Sequence, residues 1–320
     1  MKHCFILNSF AGKGQTVSEI KANIERVCTE RGADFEIYMT EGVGAATEYV
    51  KRTLDGTEGE YRFYACGGDG TLSEVVTGVM SSEGRDRAAV GLIPSGTGND
   101  FARNFTEPSL FFDMAAQLDA EALAIDVMRC NDRFAINLVN TGFDCEVVVK
   151  TAELKKKSWV PLKMAYIAGL IATFFRKPGV SVKSIQRDGE TVENQKYLLI
   201  TCGKGCYYGG GFHSNPSAHL CDGKLDSLVA NNMSRMKFLT LVGSYKKGTH
   251  LSEPRFEKVL THKKSEGVDI VFDHPTNVSV DGEVIRYDEL HVSLIKGGLR
   301  FLIPKGSAYR KAVEKETAAV

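Results

Sequence analysis

Short apolar runs alternate with stretches of helical spacing over the first third of the chain. "HCFIL" (3–7) reads as a strand and is followed by "NSFAGKG" (8–14). A helix is predicted from Thr16, with Ile20, Ile24, Val27 and Cys28 on one face and Gly32 just past its end. "FEIYM" (35–39) is a second strand and 44–54 a second helix. "YRFYAC" (61–66) is a third strand, leading into a glycine loop and another helix. "AVGLI" (89–93) is a fourth, followed by "PSGTGND" (94–100) and a short helix. Repeated βα units imply an α/β domain whose sheet is mostly parallel with helices on both faces.

After about Asp126 the rhythm changes. "RFAINLVNTGFD", "VSVKSIQRD", "KYLLITCG", "KLDSLVA", "VDIVFD", "NVSVDGEVIRY", "LHVSLIKGG" and "LRFLIP" all read as strands. Asp188-Gly189, Asp281-Gly282 and Gly297-Gly298 read as turns between some of them. Helical spacing near 145–157, 162–175 and 234–247 interrupts the β pattern. The expectation is two domains, an α/β domain over 1–126 and a β-rich, sandwich-like antiparallel domain over 127–300. The C-terminal segment, about 300–320, is free to pack back onto the first and ends in a surface helix with a frayed tail.

The chain has 320 residues, enough for two cores. Forty basic residues balance forty acidic ones, so nothing global points to nucleic acid. Eight scattered cysteines without a CxxC pair fit reduced thiols in a cytosolic protein. Cys202, Cys206, His213 and Cys221 match no common zinc spacing and read as buried or incidental thiols. The N-terminal apolar run is too short for a signal peptide. The most membrane-like stretch, 158–175, is broken by Pro161 and Lys163; about 12 apolar or small residues remain where a span needs roughly 20. A soluble protein is expected.

The candidate chemistry lies in loops. Gly67, Gly68 and Gly70 strip the Cβ atoms from around Asp69, directly after a strand. Thr71 and Glu74 have the spacing of a capping box, and Leu72, Val75, Val76 and Val79 form a buried stripe. The loop would end at a helix N-terminus, which favours an anion. Asp69 belongs beside phosphates only if a divalent cation lies between them. Two readings follow: a nucleotide-phosphate loop with a Mg²⁺-directing carboxylate, or a structural turn in which Asp69 caps the helix. "NSFAGKG" also leads to a capping-box pair, Thr16 with Glu19, without completing GxxxxGK[ST]. Three glycine loops at the strand ends of one sheet suggest a common ligand, and the missing GxGxxG argues against a dinucleotide Rossmann site.

These residues carry a resemblance. GGDGT (67–71) followed by SEVVTG, and "GLIPSGTGNDFAR" (91–103), resemble the diacylglycerol kinase catalytic domain, especially the soluble bacterial lipid kinases of that superfamily. Sphingosine kinases belong to the same superfamily; NAD kinases and 6-phosphofructokinases share only the shorter GGDG element. "GFD" (142–144), "YYGGGF" (207–212), "DGKLD" (222–226) and "VDGE" (280–283) extend the resemblance over roughly residues 1–304. The first loop departs from the family's Asn-Pro-x-x-Gly, reading Asn8-Ser9-Phe10-Ala11-Gly12, and Thr71 favours the diacylglycerol-kinase side.

The resemblance implies a nucleotide domain, a β-rich domain and an active site between them. ATP would bind across Asn8, Thr40, Gly67, Gly68, Asp69, Gly70, Thr71, Glu74, Gly96, Thr97, Asn99 and Asp100. Asp69 would direct the catalytic Mg²⁺, and Glu283 would take the proton of the lipid hydroxyl. A second, structural Mg²⁺ is implied at the Asp222 carboxylate with the carbonyls of His219 and Lys224. Read from the residues alone, Asp281-Gly282 is also an ordinary hairpin turn and Asp222 also a solvated surface carboxylate.

The function implied is ATP-dependent phosphorylation of a hydroxyl on a diacylglycerol-like lipid. Another lipid alcohol, a sphingoid base, a soluble metabolite or a silent nucleotide- or lipid-binding regulator stay open. A lipid kinase without a span must work at a membrane surface. The candidate surface joins Lys150, Lys155, Lys156, Lys157, Lys163, Arg176 and Lys177 to Trp159; its alternative is a core helix with Met164, Ile167, Leu170 and Ile171 inside. The expected place is cytoplasmic, peripheral to the inner face of the membrane. No protein partner is evident, and a homodimer stays open.

Overall fold

The structure is a computed structural model that describes residues 1–9, 17–155, 162–176 and 179–317. The chain forms two compact units. One comprises Met1–Val127, Gly209–Gly211 and Ile295–Val320; the other comprises Met128–Tyr208 and Phe212–Leu294.

The first unit opens with β1 (Lys2–Asn8), α1 (Val17–Glu30), β2 (Phe35–Thr40), α2 (Ala45–Asp55), β3 (Tyr61–Gly67), α3 (Asp69–Met80) and β4 (Ala88–Pro94). Two 3₁₀ turns (Phe101–Asn104 and Pro108–Phe112), α4 (Met114–Leu118) and β5 (Glu121–Cys130) follow. β1 pairs in parallel with β2 and β3, and β3 with β4. All seven residues of β4 are buried, as a parallel strand covered on both faces requires. Phe5, Leu7, Tyr64 and Ile93 pack against Ile20, Ile24 and Val27 of α1. On α3, Gly78 lets α2 come close: a Cβ there would lie 2.8 Å from the Thr47 carbonyl oxygen.

The second unit holds β6 (Arg133–Ala135), β7 (Leu138–Gly142), α5 (Phe143–Lys155), α6 (Leu162–Arg176), β8 (Val180–Arg187) and β9 (Glu190–Gly203). It continues with β10 (Tyr207–Tyr208), β11 (Phe212–His213), β12 (Leu225–Asn231), α7 (Arg235–Lys247), β13 (Leu260–Ser265) and β14 (Gly267–Val280). β15 (Glu283–Ile303) begins in this unit and carries the chain back to the first. The ladders β7–β9, β8–β9, β9–β12, β12–β13, β14–β7, β14–β8 and β14–β15 are all antiparallel. One core packs between these strands around Val182, Ile200, Val229, Ile270 and Val278. A second lies under the helices, around Phe143, Val147, Leu199, Phe238 and Leu241. Both Asp-Gly turns have positive φ at both residues, 48° and 80° at 188–189 and 44° and 94° at 281–282, as a tight two-residue hairpin needs.

Two readings of the sequence are corrected, and one strand was missed. Gly297-Gly298 is no turn: it lies inside the continuous β15, where Gly297 takes φ 60° and its N–H donates to Asp126 Oδ1 at 2.8 Å. The strand does not run through "GFD": β7 ends at Gly142, whose φ of 83° turns the chain, and Phe143 begins α5. β13 went unread because its sequence, LTHKKS, hides the alternation behind charge.

The segment from Ile295 returns to the first unit, where Phe301 aligns in parallel with Val90 of β4. Phe105 stacks on Phe301 with ring centroids 5.7 Å apart, and Tyr309, which opens α8 (Tyr309–Thr317), meets Phe105 edge-on at 4.8 Å. Among the described residues no helix is long and apolar enough to cross a membrane. Of the basic and aromatic candidate surface, Lys156, Lys157, Trp159, Pro161 and Lys177, with the side chains of Lys155, Lys163, Met164 and Ile167, lie outside the described residues. Ile171 and Phe175 are exposed at 53% and 67%, whereas Leu170 and Phe174 pack against the helical core.

Candidate active site

The carboxyl ends of the parallel strands are level with one another. Asn8 lies beside Thr40, Leu7 beside Cys66, and Gly67 beside Pro94. This is the edge where open α/β sheets bind ligands. Asn8 Nδ2 donates to the Thr71 hydroxyl at 3.0 Å, and the Ser9 hydroxyl donates to the Thr40 carbonyl at 2.9 Å. Thr71 occupies the room that Gly67 vacates: a Cβ on Gly67 would lie 2.2 Å from its hydroxyl oxygen. Residues 10–14 and Thr16, with its proposed cap to Glu19, lie outside the described residues.

The second and third glycine loops touch main chain to main chain. The Ser95 N–H donates to the Gly67 carbonyl at 2.8 Å, and a Cβ on Gly96 would come 2.5 Å from the Gly68 Cα. Asn99 stands at φ 50° and exchanges two 3.1 Å bonds with the Gly96 peptide, one in each direction. Thr97 is exposed. Gly70 is exposed as well, and a Cβ there would meet no protein atom within 4 Å. Protein packing therefore explains Gly67, Gly68 and Gly96, but not Gly70.

Asp69 does not cap its own helix. Its carboxylate accepts from the Asp100 N–H at 3.1 Å and the Phe101 N–H at 3.0 Å, and α3 begins without a side-chain cap. The capping-box reading of Thr71 and Glu74 fails for the same reason, since the helix starts at Asp69 and both residues are inside it. Glu74 instead accepts the N–H of Ala46 at 3.2 Å, capping the start of α2. Asp100 is buried beside Asp69. Burial raises its pKa above the ordinary carboxylate value, the Gly210 N–H bond at 2.8 Å opposes this, and the Asp69 charge adds to the rise. Arg103 Nε lies 3.3 Å from Asp100 Oδ1 without hydrogen-bond alignment, so that buried oxygen keeps its accepting capacity.

In the second unit, Glu283 opens β15 directly after the Asp281-Gly282 turn and is exposed, with Arg133 Nη1 3.5 Å from Oε2. The turn is clamped. The Asp281 carboxylate accepts from the N–H groups of Ile136, Asn137 and Leu138 at 2.8, 3.2 and 2.8 Å. At the other predicted ion site, Asp222 Oδ1 accepts from Lys204 Nζ and from the Lys224 N–H, while Oδ2 accepts from Lys264 Nζ. The Lys224 carbonyl accepts from Lys204 Nζ, and the His219 ring accepts from the Cys221 N–H. Among the described residues no three His, Cys, Asp or Glu side chains are grouped to hold a metal.

Residues 2–130 match the diacylglycerol kinase catalytic domain, and residues 137–302 match the YegS C-terminal NAD kinase beta sandwich-like domain. The chain belongs to the YegS-like family of diacylglycerol kinase-type lipid kinases. A "probable lipid kinase YegS-like" of Chromohalobacter salexigens is 25% identical over 304 residues, 93% of this chain and 92% of that protein. The Pseudomonas aeruginosa relative of the same name is 29% identical over 313 residues, 95% and 96% of the two chains. In fold, the chain matches a crystal structure described as a diacylglycerol kinase from Bacillus anthracis, with TM-score 0.69 and 21% identity over 95% of this chain and 97% of the other. It also matches an Archaeoglobus fulgidus NAD kinase solved with ATP, with TM-score 0.51 and 10% identity over the whole of both chains.

For a YegS-like kinase, one feature of the second unit went unread in sequence. A small cavity of about 20 Å³ is lined by Phe143, Val147, Leu170, Leu199, Phe238 and Leu241. Asp144 and Tyr245 also line it, and Asp144 Oδ2 accepts the Tyr245 hydroxyl at 3.1 Å. Burial pushes the Asp144 carboxyl up to about 6, against the pull of the Tyr208 and Tyr245 hydroxyls. The "GFD" motif marked the place. Its apolar walls come from α5, α6, α7 and β9, which local spacing cannot bring together. Gly210 was quoted inside a motif, yet only folding sets it beside Asp100, whereas Arg103 is one 3₁₀ turn away.

Proposed function

We propose that this YegS-like kinase transfers the γ-phosphoryl group of ATP to a hydroxyl of a diacylglycerol-like lipid, with Mg²⁺. The observation that carries the reading is the bare main-chain loop pair 67–71 and 96–100. It ends at an uncapped helix start and holds Asp69 and Asp100 side by side. Uncapped first-turn N–H groups and the helix dipole favour phosphate. Gly70, unexplained by packing, leaves room for a phosphate to approach. The donor set fits Mg²⁺, which takes one or two carboxylates and completes its shell with phosphates and water. Asp69 and the accepting oxygen of Asp100 would hold it, and it would supply neutralisation of phosphate charge. Asn8, Thr40 and Thr71 would line the nucleotide side of the loop.

Glu283 would accept the proton of the attacking hydroxyl, while the clamp on Asp281 keeps its turn from drifting. Phosphoryl transfer passes through a loose transition state, so positioning and charge neutralisation carry most of the acceleration. The exposed Ile171 and Phe175 support contact with a membrane surface, where peripheral association would place the substrate.

The test is a panel of acceptors with labelled ATP. Diacylglycerol and other lipid alcohols are presented in mixed micelles, with water-soluble acceptors alongside. Phosphorylation of a lipid in a Mg²⁺-dependent manner is expected. Turnover only on a soluble acceptor would favour the reading suggested by the NAD kinase fold, and ATP binding with no turnover on any acceptor would favour a regulator.

A further inference from the structure

The loop that the family resemblance assigns to a structural Mg²⁺ carries a different cation. Lys204 follows the apolar run of β9, and its N–H is pinned to the Asn137 carbonyl at 3.0 Å. Its side chain is fully buried, which lysine tolerates only when its ammonium is paired. Nζ donates to Asp222 Oδ1 at 2.7 Å and to the Lys224 carbonyl at 2.7 Å. Those oxygens are two of the three expected to hold the metal. The other Asp222 oxygen accepts from Lys264 Nζ at 2.7 Å.

Charge decides the matter. One carboxylate faces two ammonium groups, an excess of one positive charge before any ion arrives. A divalent ion would raise the excess to three within a partly buried cluster, and it would have to share both oxygens with Lys204. Mg²⁺ and Ca²⁺ sites are built the other way, from surplus oxygen and negative charge. The donor set does not fit a divalent ion.

We propose that Lys204 is the resident cation of the 219–224 loop, that its ammonium does the bridging otherwise left to a metal, and that this loop takes no divalent ion. The loop is thereby closed by the chain itself, and its order is independent of metal supply. This inference stands apart from the reading of the phosphate loops.

The test is the melting temperature of the full chain without nucleotide, in EDTA and in millimolar Mg²⁺ or Ca²⁺. It uses wild type, Asp222→Asn, Lys204→Ala and the Lys204→Ala/Asp222→Asn pair. Any metal-induced rise in wild type is expected to persist in Asp222→Asn, because no ion depends on Asp222. Lys204→Ala is expected to melt roughly 10 °C lower in EDTA, as for a broken buried ion pair in a chain of this size. It should recover part of that loss with Ca²⁺ or Mg²⁺, and the added Asp222→Asn should abolish the recovery. A wild-type rise of several degrees that disappears in Asp222→Asn would overturn the proposal. That comparison decides even if Lys204→Ala does not fold, and its failure leaves the reading of Asp69 untouched.

Discussion

Asp69 and Asp222 invite the same description from sequence: an aspartate beside a glycine, in a loop that family resemblance links to magnesium. The fold gives them opposite surroundings. Asp69 meets two backbone N–H groups and a second carboxylate, and the two carboxylates have one cation beside them, Arg103 at Asp100, so negative charge is in excess. Asp222 meets two lysines. Burial pushes its carboxyl up, but the Lys204 and Lys264 bonds outweigh burial and hold it below the ordinary value. What a carboxylate binds is therefore set by the charge already facing it. Asp144 is the third case, with only hydroxyl partners and apolar walls, and its proton is held correspondingly tightly.

Breaking the first member of this comparison should have the largest effect. Asp69→Asn is expected to lower kcat with lipid acceptor by about 10³-fold, on the order of 4 kcal/mol in the barrier, while the melting temperature shifts by only a few degrees. Glu283→Gln should lose at least about 100-fold in kcat with ATP affinity preserved in calorimetric titration. Near-normal turnover would remove Glu283 from the base role.

Asp144 sharpens the comparison through pH. Its folded pKa of about 6 stands above the reference value of 3.8, so the fold binds this proton more tightly than the unfolded chain. The associated stability is fully present below pH 3.8 and is lost as pH rises through about 6. Asp144→Asn is therefore expected to gain on wild type between pH 4 and pH 7, by at most roughly 3 kcal/mol. Urea denaturation at several pH values measures it; a difference independent of pH would show that the carboxyl is not held protonated.

Gly96→Ala tests whether the bare loop pair is a packing requirement. Its Cβ would meet the Gly68 main chain at 2.5 Å, so a loss of about 2 kcal/mol in stability and weaker ATP binding are expected together. Gly70→Ala meets no protein atom, and should affect ATP binding while leaving stability within about 0.5 kcal/mol. Lys264→Met should do least. Its ammonium is partly exposed, so stability should change by less than about 1 kcal/mol, and Lys204 should still exclude metal.

The βα rhythm, the apolar face of α1, the glycine loops at strand ends and the two Asp-Gly hairpins were legible in the sequence. Each rests on spacing or turn chemistry within a few residues. Asn8, Thr40 and the glycines were legible as strand-end positions, which follow from the alternation; their assignment to a nucleotide came from the family resemblance and stands as a proposal. Glu74 was misread: three residues from Thr71 it has the spacing of a cap, but its partner is Ala46, twenty-eight residues away on another helix. Gly297-Gly298 was misread because a glycine pair gives the same signal for a turn and for a kink within a strand.

Sequence alone determined which residue types stand at the strand ends and where the backbone can turn left-handed, because those are local properties of side-chain bulk and hydrophobic spacing. Only tertiary structure decided which charge faces each aspartate. Lys204 and Lys264 lie eighteen and forty-two positions from Asp222, and they reach it only through the alignment of β9, β12 and β13. Electrostatic partnership depends on distance in space, and the strand register that sets that distance is written in no single stretch of the chain.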